Sequence, residues 1–475
     1  MNVHQNYIGG RWTASSGSIS VVNPSDGAVM TEIARGGAAE IDAAVQAGHA
    51  ALQGEWGKLD AVSRGRLLMK FADLIRRDSE KLAKLESEDV GKPMTLARND
   101  VAVCARYFEY YGAAADKVHG DTIPFQNGFS VMTFYEPHGV TGHIVPWNYP
   151  LQMTGRSVAP SLAMGNSIVL KPAEDTSLTA LALARLAEEA GFPAGVFNVV
   201  TGLGEEAGAA LTAHPGIGHV SFTGSREVGV LVQTAAAKNT IPVTLELGGK
   251  SPQVVFADAD FAAAGTTIVR GITQNAGQTC SAGSRVLIED SVYDEFAGVL
   301  AEGFRALRVG SGSQDLDLGP VVNATQKARI ERYLDIARRD NLPILAEGSF
   351  GTNVPEGGYY VKPTLIGDVP PDHVLAQEEI FGPVLVAIRF KDEEDAIRIA
   401  NGTDYGLAAA VWTGNLGRAH RMVRAIDAGV VHVNTYGGAD NTVPLGGHRQ
   451  SGNGHDKSLH AMDKYVNLKT AWIQL

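Results

Sequence analysis

The chain has 475 residues, two of them cysteines, with 44% apolar and 19% charged residues and a formal charge of −12. That composition supplies a sizeable core and excludes global disorder; at roughly 100–200 residues per domain it predicts two or three domains. An acidic chain with no Lys/Arg run is a poor match for nucleic acid or an anionic membrane surface, and no run of about 18 apolar residues offers a membrane span.

The first residues, MNVHQNYIGGRWTASSGS, lack the basic stretch and apolar run of a signal peptide. Cys104 and Cys280 can form no disulfide framework and do not have metal-site spacing. A soluble cytoplasmic protein without a metal is therefore expected. YIGGRW reads as a hairpin turning on Gly9 and Gly10, and NPSDG (23–27) as a turn. Helices are predicted near 38–52, 63–90 and 93–115. The second is the clearest: Ser63 can cap it, Leu67, Leu68, Phe71, Leu74 and Ile75 form its stripe, and Gly91-Lys92-Pro93 stops it. Cys104 lies in the third, among Val101, Val103 and Tyr107, as a small buried hydrophobe.

From residue 139 short apolar runs alternate with amphipathic helices: GHIVPWN, SIVLKP, VFNVVTG, HVSFTGS and VTLELGG are the strands. This is the pattern of a parallel sheet covered on both faces, which binds ligands at the carboxyl ends of its strands. A second alternation follows Cys280 (SRVLIE, helices at 291–306 and 325–339, KPTLIG, VLVAIRF, a helix at 392–400, AGVVHVN) and predicts a second α/β domain. The strand-like runs FSVMTFYEP and LKTAWIQL, within 119–138 and 457–475, belong to neither sheet.

Several loops carry chemistry. Cys280 sits in NAGQTCSAGS among small polar residues and glycines; it is either a nucleophile, which needs a base, a helix N-terminus or a cation to activate it, or an ordinary exposed thiol. Glu246 ends an apolar strand in LELGGK. Buried there, it gains the raised pKa of a general base; on an edge strand it would merely face water. Gly224, Ser225 and Gly229 in FTGSREVG lie between a strand and a helix start, where free N–H groups suit a pyrophosphate, though without the G-x-G-x-x-G spacing. Lys171 and Glu174 in VLKPAE could hold a ribose or phosphate. Asn148 in VPWNYP is an amide donor suited to an oxyanion.

Together PWN (146–148), KPAE (171–174), FTGS (222–225), LELGGK (245–250), GQTC (277–280) and EEIFGPV (378–384) resemble the NAD(P)-dependent aldehyde dehydrogenase superfamily over essentially the whole chain. PLGGHRQSGNG (444–454) is similar to its C-terminal signature, with His448 where an aromatic residue is common. The resemblance implies a doubly wound Rossmann-like NAD domain (1–118 and 139–247), an α/β catalytic domain (248–446) and a small β oligomerisation domain (119–138 and 447–475), assembled as a homodimer or homotetramer. It implies that Cys280 attacks the aldehyde, that Asn148 and the Cys280 N–H hold the oxyanion, and that Glu246 activates the water that hydrolyses the thioester. Lys171 and Glu174 would hold the adenosine ribose. Trp147, Gly224 and Ser225 would line the pyrophosphate, and Glu379 and Phe381 the nicotinamide ribose. Tyr149 and Met153 would line the substrate tunnel. His455, Asp456 and Lys457 sit where the family passes protons outward.

Within the family, Glu174 would repel a 2′-phosphate and favours NAD, with NADP possible, and Glu246 favours release of a free acid over a CoA ester. Arg156 occupies the place of an arginine that grips the distal carboxylate in succinate semialdehyde dehydrogenases, and a guanidinium fork suits a carboxylate; the other reading of Arg156 is a structural salt bridge. Ala282 replaces a second cysteine frequent in those relatives. SGNGHDKSLHAMDKY instead resembles the tail of aminoaldehyde dehydrogenases of polyamine breakdown. A thiol acyl-hydrolase without hydride transfer would have no use for Lys171, Glu174, Ser225 and Glu379, and an inactive structural relative would have no need of Cys280 or Glu246.

Overall fold

The computed structural model describes residues 3–437 and 440–475. Its first large sheet has eight strands in the order Gly452–Asn453, Val243–Glu246, His219–Thr223, Val140–Val145, Ser167–Pro172, Phe197–Val199, Asn6–Ile8, Arg11–Thr13. The middle five are parallel; the outer pairings are antiparallel. The last two strands are the predicted hairpin, and Gly9 and Gly10 both take positive φ at its turn, the backbone a tight hairpin requires. Successive residues of one strand feed opposite layers. Ile168 and Leu170 join the core formed with the helices Ala61–Arg77, Met94–Ala114, Pro150–Ala163 and Leu178–Ala190, while Val169 joins the one formed with Ala38–Gln53 and Arg226–Ala237. A strand buried on both faces therefore reads as a continuous apolar run.

The second large sheet has seven strands in the order Ile344–Glu347, Thr364–Ile366, Val384–Phe390, Arg285–Glu289, Pro252–Val255, Ala408–Trp412, Val430–Val433. All pair in parallel except the first two. The two orphan runs pair with each other: Val466–Gln474 runs antiparallel to Phe129–Pro137 over nine residues, with Thr122–Ile123 as a third strand. Leu468 and Trp472 remain about 60% exposed there. Among the described residues no helix is long and apolar enough to cross a membrane.

Three sequence expectations need correction. The helix predicted over 63–90 is two helices, Ala61–Arg77 and Ser79–Val90, parted at Asp78. Its cap is Asp60, whose carboxylate accepts the Ser63 N–H, so Ser63 is the capped residue. The segment 447–475 does not lie wholly with the small sheet, because Gly452–Asn453 adds an edge strand beside Glu246.

Candidate active site

Strand order in the first sheet reverses between Val140–Val145 and His219–Thr223. Loops diverge at such a point and leave a crevice at the carboxyl ends of the strands. Trp147 and Asn148 follow the first of these strands, Gly224 and Ser225 the second, and Glu246 ends the neighbouring one. The Gly224 N–H donates to the Glu246 carbonyl, which ties these loops together.

The nucleophile loop enters from the second sheet. The helix Phe261–Thr273 is followed, after Gln274, by three consecutive left-handed residues, Asn275 (φ 52°), Ala276 (φ 53°) and Gly277 (φ 75°). Left-handed backbone costs a non-glycine residue roughly 1–2 kcal/mol, so the turn survives only where its surroundings hold it. Here Asn275 Nδ2 donates to the Asn148 carbonyl (2.9 Å), Gln278 Nε2 donates to the Asn275 carbonyl (3.0 Å), and the Val322 N–H donates to Gln278 Oε1 (2.9 Å). A Cβ on Gly277 would strike the Gly382 carbonyl. Gly277→Ala is accordingly expected to lower unfolding stability by about 2–4 kcal/mol, from left-handed strain plus overpacking; denaturant unfolding of the two proteins measures it.

Cys280 is half-buried at the end of this turn. A Cβ on Gly249 would lie 2.7 Å from the Cys280 carbonyl oxygen, so the glycine after Gly248 is what lets the two loops touch. Burial pushes the thiol up to about 11; Arg156 opposes the shift, and Glu246 and Glu379 add to it. Asn148 is buried and its Nδ2 donates to the Gln278 carbonyl at 2.8 Å, which leaves the second amide hydrogen available.

Glu246 is 3% exposed. Its Oε2 accepts from Arg156 at 3.3 Å, and its Oε1 has no hydrogen-bond partner among the described residues. Burial raises its pKa; Arg156 pulls the other way and Asp456 adds to the rise. Arg156 is equally buried and also donates through Nε to Asp456, whose other oxygen takes Lys464. The fork expected to grip a substrate carboxylate is thus already matched by two protein carboxylates. This is the salt-bridge alternative, and it arises because the C-terminal loop carrying Asp456 folds over the helix Pro150–Ala163.

The residues expected at the cofactor lie at strand ends of the first sheet (Trp147, Lys171, Glu174, Gly224, Ser225) and before the strand Val384–Phe390 of the second (Glu379, Phe381). Lys171 Nζ donates to Glu174 Oε2 at 2.8 Å, and Lys171 holds the Glu174 carboxyl below its usual range against the upward push of burial. Ser225 is exposed and caps the helix Arg226–Ala237, its hydroxyl accepting the Val228 N–H at 3.4 Å. Trp147 and Phe381 meet edge to face, 5.3 Å between ring centres. Phe381 has φ 61°, a strained backbone at a ligand crevice. Glu379 Oε1 accepts the Gly249 N–H at 2.9 Å; burial raises its carboxyl to about 7. A Cβ on Gly248 would collide with that carboxylate.

On the substrate side, Tyr149 and Met153 are buried. The Tyr149 hydroxyl bonds Thr279 Oγ1 (2.8 Å) and accepts from Gln274 Nε2 (3.1 Å). Lys92, fully buried, lies 4.2 Å from the centre of the Tyr149 ring and pairs with Glu86 and Asp100. Sequence reasoning missed Lys92, Gln274, Asn275, Gln278 and Thr279. In the sequence Lys92 stands out only as part of a helix stop, and the bracing amides only as neighbours of the cysteine in its motif.

The geometry joins a thiol, an amide donor and a buried carboxylate to a dinucleotide-type crevice. Residues 12–471 match the model of the aldehyde dehydrogenase family. The chain is similar to a putative aldehyde dehydrogenase from Burkholderia cenocepacia, with 52% identity, a TM-score of 0.98 and 99% of each chain covered. It is 43% identical over 482 residues to the NADP/NAD-dependent aldehyde dehydrogenase PuuC of Escherichia coli (strain K12), covering 99% of this chain and 95% of that protein. An NAD complex of aldehyde dehydrogenase from Bacillus cereus matches with 38% identity and a TM-score of 0.97, covering 100% of this chain and 97% of the other. The chain belongs to the aldehyde dehydrogenase family.

Proposed function

We propose that the protein oxidises an uncharged aldehyde to the free carboxylic acid, with NAD as the bound cofactor. The observation that carries this reading is the buried Glu246 carboxylate near Cys280, one oxygen on Arg156 and the other without a partner among the described residues. Cys280 Sγ adds to the aldehyde carbon, and the thiol proton passes to solvent water as the C–S bond forms. The developing oxyanion takes the second Asn148 amide hydrogen and the Cys280 N–H, a kind of contact typically worth about 2.7–4 kcal/mol of barrier per donor. Bound NAD supplies the hydride acceptor. Glu246 Oε1 then accepts a proton from the water that attacks the acyl carbon, and the Cys280 sulfur leaves. Lys171 and Glu174 suit the adenosine ribose; Gly224, Ser225 and Trp147 suit the pyrophosphate; Glu379 and Phe381 suit the nicotinamide ribose.

The partners of Arg156 support this substrate class. A carboxylated aldehyde would have to displace Asp456 or Glu246 from the guanidinium, and breaking a buried pair is costly. A cationic aldehyde meets a Tyr149 ring that already carries Lys92 on one face. Steady-state turnover of hexanal, benzaldehyde, betaine aldehyde, γ-aminobutyraldehyde and succinate semialdehyde with NAD and with NADP tests the reading. Hexanal or benzaldehyde is expected to exceed succinate semialdehyde in kcat/KM by roughly tenfold or more. The reverse order would restore Arg156 to the substrate. Binding of NAD without turnover of any aldehyde would overturn hydride transfer itself.

A further inference from the structure

Arg156, on the helix Pro150–Ala163, belongs to a buried array of which the chemistry above uses only Glu246. Its NH2 donates to Glu246 Oε2 at 3.3 Å and its Nε to Asp456 Oδ2; Asp456 Oδ1 takes Lys464 Nζ. Arg156, Glu246 and Asp456 are 2–3% exposed at their side chains and Lys464 10%. Both carboxylates are anchored through their backbone. Glu246 pairs with Gly452 and its carbonyl accepts the Gly224 N–H. Asp456 exchanges both backbone hydrogen bonds with Leu445 (2.6 and 2.8 Å). The guanidinium therefore bridges two fixed backbones, and only the Glu246 contact, longer than the roughly 2.7–2.9 Å of a good charge-assisted bond, has slack.

A base that takes a proton from water must be ionised when the water arrives, and burial works against that. The groups facing Glu246 are Arg156 from the helix, Asp456 and Lys457 from the C-terminal loop, Lys464 beyond them, and Cys280 from the nucleophile loop. Arg156 is the group among these with a direct hydrogen bond to the Glu246 carboxylate. We propose that Arg156 is a positioning residue for the hydrolytic half of the reaction: locked by Asp456, it holds Glu246 through Oε2 and turns Oε1 toward the water that attacks the thioester. The proposal rests on the assignment of Glu246 as the hydrolytic base.

The test separates acylation from hydrolysis by quenched single-turnover kinetics with hexanal and NAD across pH, in Arg156→Met, Arg156→Lys and Asp456→Asn. Arg156→Met is expected to keep an NADH burst of one equivalent per subunit. Its hydrolysis should slow by about tenfold or more, and the rising limb of the hydrolysis–pH curve should move to higher pH, because loss of the cation disfavours the ionised carboxylate. Arg156→Lys should recover most of the rate. Asp456→Asn leaves Arg156 to Glu246 alone, so its limb should move to lower pH. That opposite sign carries the test by itself if Arg156→Met does not fold. The proposal is overturned if Arg156→Met raises KM for succinate semialdehyde while the limb stays in place, or if Asp456→Asn leaves the limb unmoved or moves it upward. Failure of the underlying assignment has a different signature: Glu246→Gln would then turn over like the wild type.

Discussion

Replacing Cys280 with alanine is expected to remove aldehyde-dependent NAD reduction by on the order of 10⁴-fold or more, because the covalent route has no substitute once its sulfur is gone. Cofactor binding, followed by quenching of protein fluorescence on NAD addition, should persist, since the crevice residues Lys171, Glu174 and Glu379 are untouched. The thermal midpoint should move little, because the side chain is small and half-buried. The wild-type thiol offers a second check. Burial, with Glu246 and Glu379 adding to it and Arg156 opposing it, raises the thiol to about 11. In the absence of NAD, the rate of alkylation by iodoacetamide should therefore keep climbing as pH rises past 9. A plateau below pH 8 would contradict a desolvated, protonated resting thiol.

Glu246→Gln should stall the enzyme after a single turnover. Glutamine keeps the size of the side chain and can still face Arg156, but it cannot take a proton from water. General-base removal of this kind costs about 10²–10⁴-fold, and here the loss falls on hydrolysis alone. One NADH should appear per subunit, followed by near silence, and intact-protein mass should rise by one acyl group at Cys280. Asp456 still balances the Arg156 charge, so the fold should tolerate the change. If the burst disappeared together with the steady state, Glu246 would instead be acting on Cys280 itself.

How far the sequence carried depended on the kind of interaction. Strands such as Ser167–Pro172 and Val384–Phe390 are apolar and flanked by turn residues, so alternation with helices was enough to find them and to predict a parallel sheet. Ala408–Trp412 lies inside the second sheet, yet three alanines at its start give no β signal, and only tertiary burial makes it a strand. The break at Asp78 was hidden because apolar spacing runs on across it. Short motifs single out Cys280, Asn148, Lys171, Glu174, Ser225 and Glu379 as candidates, each at a local turn or strand end. The partners of Arg156 were not legible: Glu246 is 90 positions away and Asp456 is 300. A guanidinium looks the same in sequence whether it is to meet a ligand or a distant loop. The left-handed turn at Asn275–Gly277 is only partly legible: Asn and Gly tolerate that backbone, but Ala276 between them gives no reason to expect it.

The separation of Arg156 and Asp456 also bears on how the protein is made. Arg156, Glu246 and Cys280 all leave the ribosome well before Asp456 and Lys464, and domains begin to fold in that order. Closing a contact across 300 positions waits for the intervening chain to collapse, since non-local pairing must first overcome the entropy of the loop it closes. A nascent chain thus holds its reactive thiol and its carboxylate before the brace that orders the carboxylate exists. On the proposal above, hydrolytic competence waits until residues 456–464 have been made, and a chain truncated before residue 456 would carry the nucleophile without the support for releasing what it captures.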